Sequence, residues 1–592
     1  MNFKQMRRMC MIGLLNVCLL ASCTPSRQGG TTTTTTGTTA SPVVAGKVLS
    51  VVDYGAVPNS DQDATDAIED ALKAAKNGDT IFFPEGSYNV SRIITLAKKS
   101  ITLKGEKATL IQTAYDNAST LYQATAGFFY IIGENITIKG LDFDFAEPAN
   151  FSGTVTEVNT AESYFMVKLY DEFMDATGEE YFNYVYSHDA DGTVNGHVAG
   201  DGGGIKFKYL GDGVLQVYYA SGPQLDNLEV GEGMTIRLGH SAAPMFSIQG
   251  AINTVFEDVN IYQANMVWYI ASRSENVTFN HTRVTMREGS KQLMVTNVDI
   301  IHVENMKGKL VIKDCQFDGL GDDALNVHTR AGKIQKISPD TGDITMVAGW
   351  HNKAVDSYWA KEGDMLEFYD SETLLLKGTA KVVSMYGTLL TVDAIPDGVT
   401  VNDAIANVTM TPAVEVTGTT ISRGRARGLL LQTKNVLIEN CNINRMTLSG
   451  ILLACDYAYW YEMCPSTNIR ILNNTLEKCS RGYSSASYAG ITVKASHDAG
   501  AAAYPAGVHQ NLEISGNKIS NCGGSGIFVS ATDQLKLENN VIEGNNLYST
   551  PISTATYAIA LVNCSGVTVK GNSCDKGVQL LYSENCQIVS NQ

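Results

Sequence analysis

Charge is scarce in this chain. Asp, Glu, Lys and Arg supply 18% of its 592 residues, while glycine occurs 54 times. That balance suits strands and turns better than helices. Positive charge is the scarcer sign, and the net of −17 argues against nucleic acid as a partner. Long hydrophobic runs are missing as well: beyond the N-terminal segment, nothing approaches membrane-spanning length. Zinc-type CxxC pairs are absent, so the 12 cysteines do not outline a metal ribbon. What is present is an ordinary hydrophobic content of 44%, in a chain long enough for several domains or one long solenoid.

The N-terminus reads as a targeting segment. Lys4, Arg7 and Arg8 precede an apolar stretch from Met9 to Leu20, and Leu20-Ala21-Ser22-Cys23 resembles a bacterial lipobox. Residues 1–22 are then a lipoprotein signal peptide, and Cys23 is the lipidated first residue of the mature protein. This predicts a cell-envelope protein that meets the membrane through its lipid alone, facing the periplasm or the exterior. Residues 23–47, with threonines from Thr31 to Thr36, form a polar tether. Cys315, Cys441, Cys522 and Cys586 recur in similar contexts (KDCQF, ENCNI, SNCGG, ENCQI), as small buried side chains of a stack would. Cys455 and Cys464 flank an aromatic loop and could pair in an oxidising compartment.

Ala64, Ala67, Ile68, Ala71, Leu72 and Ala75 follow helical spacing and predict one amphipathic helix, ended by Asn77-Gly78-Asp79. Beyond it a short unit recurs, roughly Asn-aliphatic-x-aliphatic-x-x-Asn-x-aliphatic. Copies include ENITIKGLDF at Glu134, NTVFEDVNI at Asn253, ENVTFNHTRV at Glu275, QNLEISGNKI at Gln510 and GVTVKGNSC at Gly566. Strands this short cannot bury themselves as isolated hairpins, but stacked in parallel each coil covers the next. Buried Asn side chains can then hydrogen-bond along the stack. The expected fold is all-β: a right-handed parallel β-helix, three strands per coil, with an N-terminal capping helix. Two stretches with longer strands break the repeat, each large enough for a small β-barrel. The expected organisation is β-helix over 48–150, a barrel over 151–243, β-helix over 244–330, a second barrel over 331–412 and β-helix over 413–592.

Three aspartates carry most of the chemistry. TNVDIIHV holds Asp299, and GLGDDALNVH holds Asp322 and Asp323. V-D-I-I-H-V aligns over D-D-A-L-N-V at a spacing of 24 residues, so a coil of that period lays Asp299 beside Asp323. Like charges so close raise one pKa, which sets a protonated acid beside an ionised base. Glycoside hydrolysis needs that division. A cation-binding cluster, as in Ca²⁺-dependent lyases, is the plainer alternative for an Asp-Asp pair. His302 and Asn326 align in the same way, and with His328 they could bind sugar hydroxyls or serve as structural polar groups. In SRGRARGLLLQ, Arg427 follows Asp323 in the stack. In LLACDYAYWYE, Asp456, Trp460 and Glu462 accompany Tyr457, Tyr459 and Tyr461, as a sugar-stacking wall or simply a cover for the coil.

VVDYGAV…FFPEGSY resembles the opening of pectate-lyase-like β-helix proteins. GLGDDALNVH, TNVDIIHV, RARGLLLQT and the interrupted helix resemble glycoside hydrolase family 110 over nearly the whole mature chain, about residues 48–592. The resemblance implies an inverting exo-α-galactosidase that releases terminal α-1,3-linked galactose from glycans such as the blood-group-B determinant. It implies Asp322 as general acid, Asp299 and Asp323 as holders of the nucleophilic water, and no metal or cofactor. The polygalacturonases of glycoside hydrolase family 28 are the nearest alternative. Their Gly-His-Gly and Arg-Ile-Lys motifs are absent here, and a polyuronide would want a basic cleft. A non-catalytic glycan-binding lipoprotein on the same fold is the other alternative. Association into a homo-oligomer is open to it through an exposed barrel edge.

Overall fold

The computed structural model describes residues 46–592 apart from 115–125, 174–181, 200–204, 220–222, 239–243, 349–358, 458–459, 482–488, 496–503, 548–556, 582 and 590–592. Cys23, the tether and Tyr459 lie outside the described residues. The chain folds as a right-handed parallel β-helix. A single helix, Thr65–Ala74, opens it and buries Ala67, Ile68, Ala71 and Leu72. Its first turn is held by Asp63, whose Oδ1 accepts the Thr65 N–H at 2.9 Å.

Each coil adds one rung to each of three parallel faces. On the first face, Ile252–Glu257 pairs with Glu275–Asn280 and that strand with Lys307–Lys313. On the second, Arg283–Val284 pairs with Gln316–Leu320 and that strand with Thr420–Gly424. On the third, Met266–Ala271, Ile301–Glu304, Leu325–Ser338 and Leu429–Leu431 pair in turn. Alternation sends every second side chain inward. One continuous core therefore runs from Val51 to Val569. Its early coils are aromatic: Phe246 stacks on Trp268 at 5.7 Å, and Phe256 on Phe279 at 5.3 Å. Later coils fill with Ile, Leu and Val.

Asparagine holds the bends in two ways. Asn135, Asn253 and Asn276 sit at φ 55°, 57° and 55°, a left-handed conformation that Asn adopts at little cost. Their amides chain along the surface, Asn253 to Asn135 at 2.8 Å and Asn276 to Asn253 at 3.0 Å. A second ladder is wholly buried. Asn474 donates to Asn517 at 3.0 Å, Asn517 to Asn540 at 3.0 Å and Asn540 to Asn572 at 2.9 Å. Each carbonyl also accepts the backbone N–H of the residue one coil earlier, as Asn517 Oδ1 does for Asn474 at 2.9 Å.

The cysteines are structural. All nine described are free thiols, so Cys455 and Cys464 do not pair, contrary to the expectation from their flanking positions. Both are fully buried, and Cys464 Sγ lies 3.4 Å from the Tyr369 hydroxyl. Cys315 and Cys441 donate to main-chain carbonyls one coil back, at 3.6 and 3.5 Å. Burial pushes these two thiols up to about 12 and about 11. Cys586 is only half-buried.

Two antiparallel units interrupt the coils. The first pairs seven strands between Asn150–Asn159 and Gly233–Leu238 around its own core, with Phe165, Val167, Leu215 and Ile236 fully buried. Its outer strands, Val194–Ala199 and Ile205–Gly211, are joined through residues outside those described. The second is a closed ring of six: Leu325–Ser338, Asp343–Ala348, Leu389–Val392, Leu376–Tyr386, Met365–Tyr369 and Ala404–Asn407, which returns to the first. The 14-residue strand Leu325–Ser338 thus starts in the β-helix and ends in the ring. Arg273 clamps the ring to the preceding coil through a bidentate pair with Asp364, at 2.7 and 2.8 Å.

The buried ladder makes a measurable claim. Asn517→Ala strips partners from Asn474 and Asn540 inside the stack, at a cost of about 2–4 kcal/mol. Asn511→Gly, at an exposed left-handed position, is expected to be nearly neutral. Thermal unfolding of both variants should show a clear drop for the first alone; equal midpoints would refute the ladder's role.

Candidate active site

The aspartates sit where the chain turns from the second face to the third. Gly321 makes the turn possible: a Cβ there would lie 2.3 Å from the Thr296 carbonyl oxygen. Ile301 pairs with Leu325 and Leu325 with Leu429, so Asp299, Asp323 and Arg427 occupy equivalent places on successive coils. The contacts follow that register. The Asp323 N–H donates to Asp299 Oδ1 at 3.1 Å. Arg427 then donates its backbone N–H and Nε to Asp323 Oδ1, at 2.9 and 2.7 Å, and its terminal nitrogen to Oδ2 at 2.7 Å. Both oxygens of Asp323 are taken, and its side chain is 1% exposed. Burial pushes its carboxyl up against the pull of Arg427, and Asp322 and Asp299 push the same way. The same contact holds Arg427 protonated above its ordinary value. Two guanidinium bonds and a backbone N–H on one carboxyl are the geometry of an ionised pair.

Asp322 differs from its neighbour. Its side chain is 31% exposed, and it pairs with Arg425 at 2.8 Å. The Arg425 guanidinium lies 5.2 Å from the ring of Tyr186, which belongs to the first inserted unit. One oxygen from each of Asp299, Asp322 and Asp323 falls within 4.8 Å of the others.

On the strand that follows, alternate side chains point outward. His302 Nδ1 lies 2.7 Å from Asp299 Oδ2, and its Nε2 lies 3.1 Å from Nε2 of His328. His328 Nε2 is 3.6 Å from Glu462 Oε1. Burial disfavours charge on His302, yet the Asp299 hydrogen bond and the charges of Asp299, Glu462 and Glu304 outweigh it and raise its pKa to about 9. Burial dominates at His328 and lowers it. Burial also opposes charge on Glu462, but His328, His302 and Gln432 hold it below the usual range. Asn326 is paired with His302 in register and is buried. Asn326 Oδ1 and His328 Nδ1 are buried atoms with no hydrogen-bond partner among the described residues.

Glu462 and Asp456 reach the cluster through Gln432. The Gln432 amide donates to Glu462 Oε2 at 2.6 Å and its carbonyl accepts the Asp456 N–H at 2.7 Å. The aromatic loop is mostly cover. The Tyr457 hydroxyl donates to the Asn402 carbonyl of the six-stranded ring at 2.9 Å, and Tyr457 packs edge-on to Tyr461 at 5.9 Å. Trp460 is 47% exposed. Gln432, Arg425, Glu304, Arg330 and Tyr269 had no role assigned from sequence. Arg330 pairs with Glu304 at 2.7 Å and the Tyr269 hydroxyl donates to Glu304 at 3.2 Å. Glu304 lies two residues beyond His302, on the same strand face, and that period was its one legible signal.

Residues 48–217 match the family model "Rhamnogalacturonase A/epimerase, pectate lyase-like", and residues 383–555 match "Periplasmic copper-binding protein (NosD)". The chain is 24% identical to an alpha-1,3-galactosidase A of Shewanella woodyi, over 75% of this chain and 78% of the relative. It is 23% identical to an alpha-1,3-galactosidase B of Bacteroides thetaiotaomicron, over 90% of this chain and 92% of the relative. Among solved structures, the family 28 exopolygalacturonase of Yersinia enterocolitica aligns with a TM-score of 0.43 at 12% identity, over 92% of this chain and 78% of that one.

Arg427→Met strands the Asp323 carboxylate in the stack, at about 3–5 kcal/mol. A carboxyl with a raised folded pKa stabilises below its unfolded pKa and loses that contribution as pH rises through the folded value. The fall in melting temperature should therefore be large at pH 8 and shrink towards pH 5. A deficit that does not vary with pH would overturn the ion pair.

Proposed function

We propose that the chain is a glycoside hydrolase that removes terminal α-1,3-linked galactose from the non-reducing end of glycans, the blood-group-B determinant among them, with inversion at the anomeric carbon. One observation carries the reading: three carboxylates meet within 4.8 Å, one open and two enclosed, beside buried polar atoms of Asn326 and His328 that have no partner among the described residues. The names of the relatives supply the bond and the sugar. Asn326, His328, Asp456 and Glu462 bind hydroxyls of the galactose, and Trp460 offers its exposed ring to a CH face. The lipid on Cys23 holds the enzyme in the cell envelope.

Asp322 protonates the glycosidic oxygen, because it is the carboxyl with room beside it. Asp299 takes the proton of the attacking water. Asp323 holds Asp299 by its backbone N–H while its own carboxylate stays on Arg427. Carboxyls this close favour a second reading, since about 5–5.5 Å is the retaining distance and about 6.5–9.5 Å the inverting one. Against retention, both oxygens of Asp323 are held by Arg427, and Asp299, with one hydrogen bond on each oxygen, keeps a lone pair for a proton of water. Water is then the available nucleophile, and no metal enters the scheme.

Incubation with a B-type oligosaccharide and with a chromogenic α-galactoside should release galactose. No release from either would sink the reading, and an ultraviolet-absorbing product that needs Ca²⁺ would replace it with a lyase. Proton NMR of fresh product should show β-galactose first; α-galactose first would mean retention. Asp322→Asn should fold normally and lose about 10²-fold or more of its rate on a poor leaving group, with much of it recovered on an activated one.

A further inference from the structure

The chain Asp299–His302–His328–Glu462 is more ordered than sugar binding requires. Asp299 Oδ2 can only accept, so His302 Nδ1 carries a proton. At the 3.1 Å contact between the two Nε2 atoms, one imidazole donates and the other accepts. Two arrangements satisfy that contact: a doubly protonated His302 facing a neutral His328, or a neutral His302 that accepts from His328. The surrounding charge selects between them. Asp299, Asp322, Asp323, Glu304 and Glu462 stand against the guanidiniums of Arg330, Arg425 and Arg427. Three cations leave five carboxylates short of balance, and Asp299, Glu462 and Glu304 all act on His302. Glu304 sits two residues along its own strand, Tyr269 lies 5.7 Å away on the preceding coil, and His328 and Glu462 face it from later segments.

We propose that His302 is a standing imidazolium that acts as the positioning residue of the water-activating carboxylate, with His328 the neutral Nδ1–H tautomer that accepts its second proton. His302 then does not bind sugar. It gives Asp299 a charge-assisted hydrogen bond, which fixes the plane of the carboxylate. His328, locked by His302 on one nitrogen, presents Nδ1–H from the other. Among the described residues that nitrogen has no acceptor, and it is left to a ligand oxygen. The elevated value for His302 and the depressed one for His328 agree with this assignment. The stabilisation from the imidazolium is complete below about pH 6.5, and it disappears as pH rises through about 9.

The assignment rests on the galactosidase reading only for what Asp299 does. Its test therefore has an arm that needs no reaction. Substrate-free protein carrying ¹⁵N-labelled histidine should show one imidazole with two protonated nitrogens at pH 7.5, absent from His302→Gln. A neutral His302 at that pH overturns the proposal, whatever the enzyme cleaves. In the kinetic arm, kcat/KM on a chromogenic α-galactoside is followed against pH. This substrate asks little of Asp322, so the acidic limb reports the base. His302→Gln should shift that limb upward by about one pH unit, with KM within a few-fold of wild type. His328→Gln keeps an acceptor for His302 and should leave the limb in place. A raised KM with an unmoved limb would make His302 a sugar ligand. A uniform loss at every pH would make it merely structural. If galactoside is not cleaved but the labelled imidazolium is present, the reaction reading fails while the charge state stands.

Discussion

Everything at the site depends on the pairing of Asp323 with Arg427. The two residues are separated in sequence by the entire six-stranded ring, yet the register of Leu325 on Leu429 makes them neighbours. The ion pair is therefore a test of the register itself. A slip by one residue would turn Asp323 inward and Ala324 outward. The buried carboxylate would meet the aliphatic core with no cation in reach. Parallel stacking and ion pairing thus enforce each other, and together they place the Asp299 carboxylate against the Asp323 backbone.

The inserted units follow from the same logic. An open β-helix has a flat outer surface, and a shallow face excludes little water. Here the strand Leu325–Ser338 leaves the third face without a break and becomes a wall of the ring. On the way, Thr329 and Arg330 pair with Met463 and Glu462. One rigid element therefore carries the site floor (Asn326 and His328), aligns Glu462 and supports the barrel. The first unit contributes from the opposite side, where Tyr186 lies near the guanidinium that faces Asp322. The insertions convert a sheet face into a walled site.

Much of this was legible because a coil period maps sequence distance onto space. Asp299 and Asp323 lie on coils with nothing inserted between them, so their contact could be read directly from aligned strings. Arg427 could be placed despite the intervening ring, because RG-LLL repeats the pattern of D-A-L-N-V. The buried asparagine ladder followed from its recurrence at the same turn. What could not be read was which outward side chains would meet across coils. Gln432 bridges Glu462 and Asp456 only because their loop folds back over the third face. Tyr457 became cover because the ring presents the Asn402 carbonyl to it. Cys455 and Cys464 flank that loop, but no bond joins them, and burial keeps both as unreactive thiols. Local spacing held no information on any of these.

Three residues of one type here have three different surroundings, and the surroundings assign the work. Asp323 meets a fixed guanidinium and a backbone N–H in a dry stack, so its charge is spent on structure. Asp299 meets an imidazole and a backbone N–H, which orient it and leave a lone pair on each oxygen. Asp322 meets a guanidinium on a more open flank. A carboxylate that must polarise water needs a fixed plane; one that must donate and recover a proton needs an environment that changes when substrate arrives. The partners, more than the aspartates, create that difference. Exchange of Arg425 and Arg427 for neutral residues would disturb the division of roles even with all three carboxylates in place.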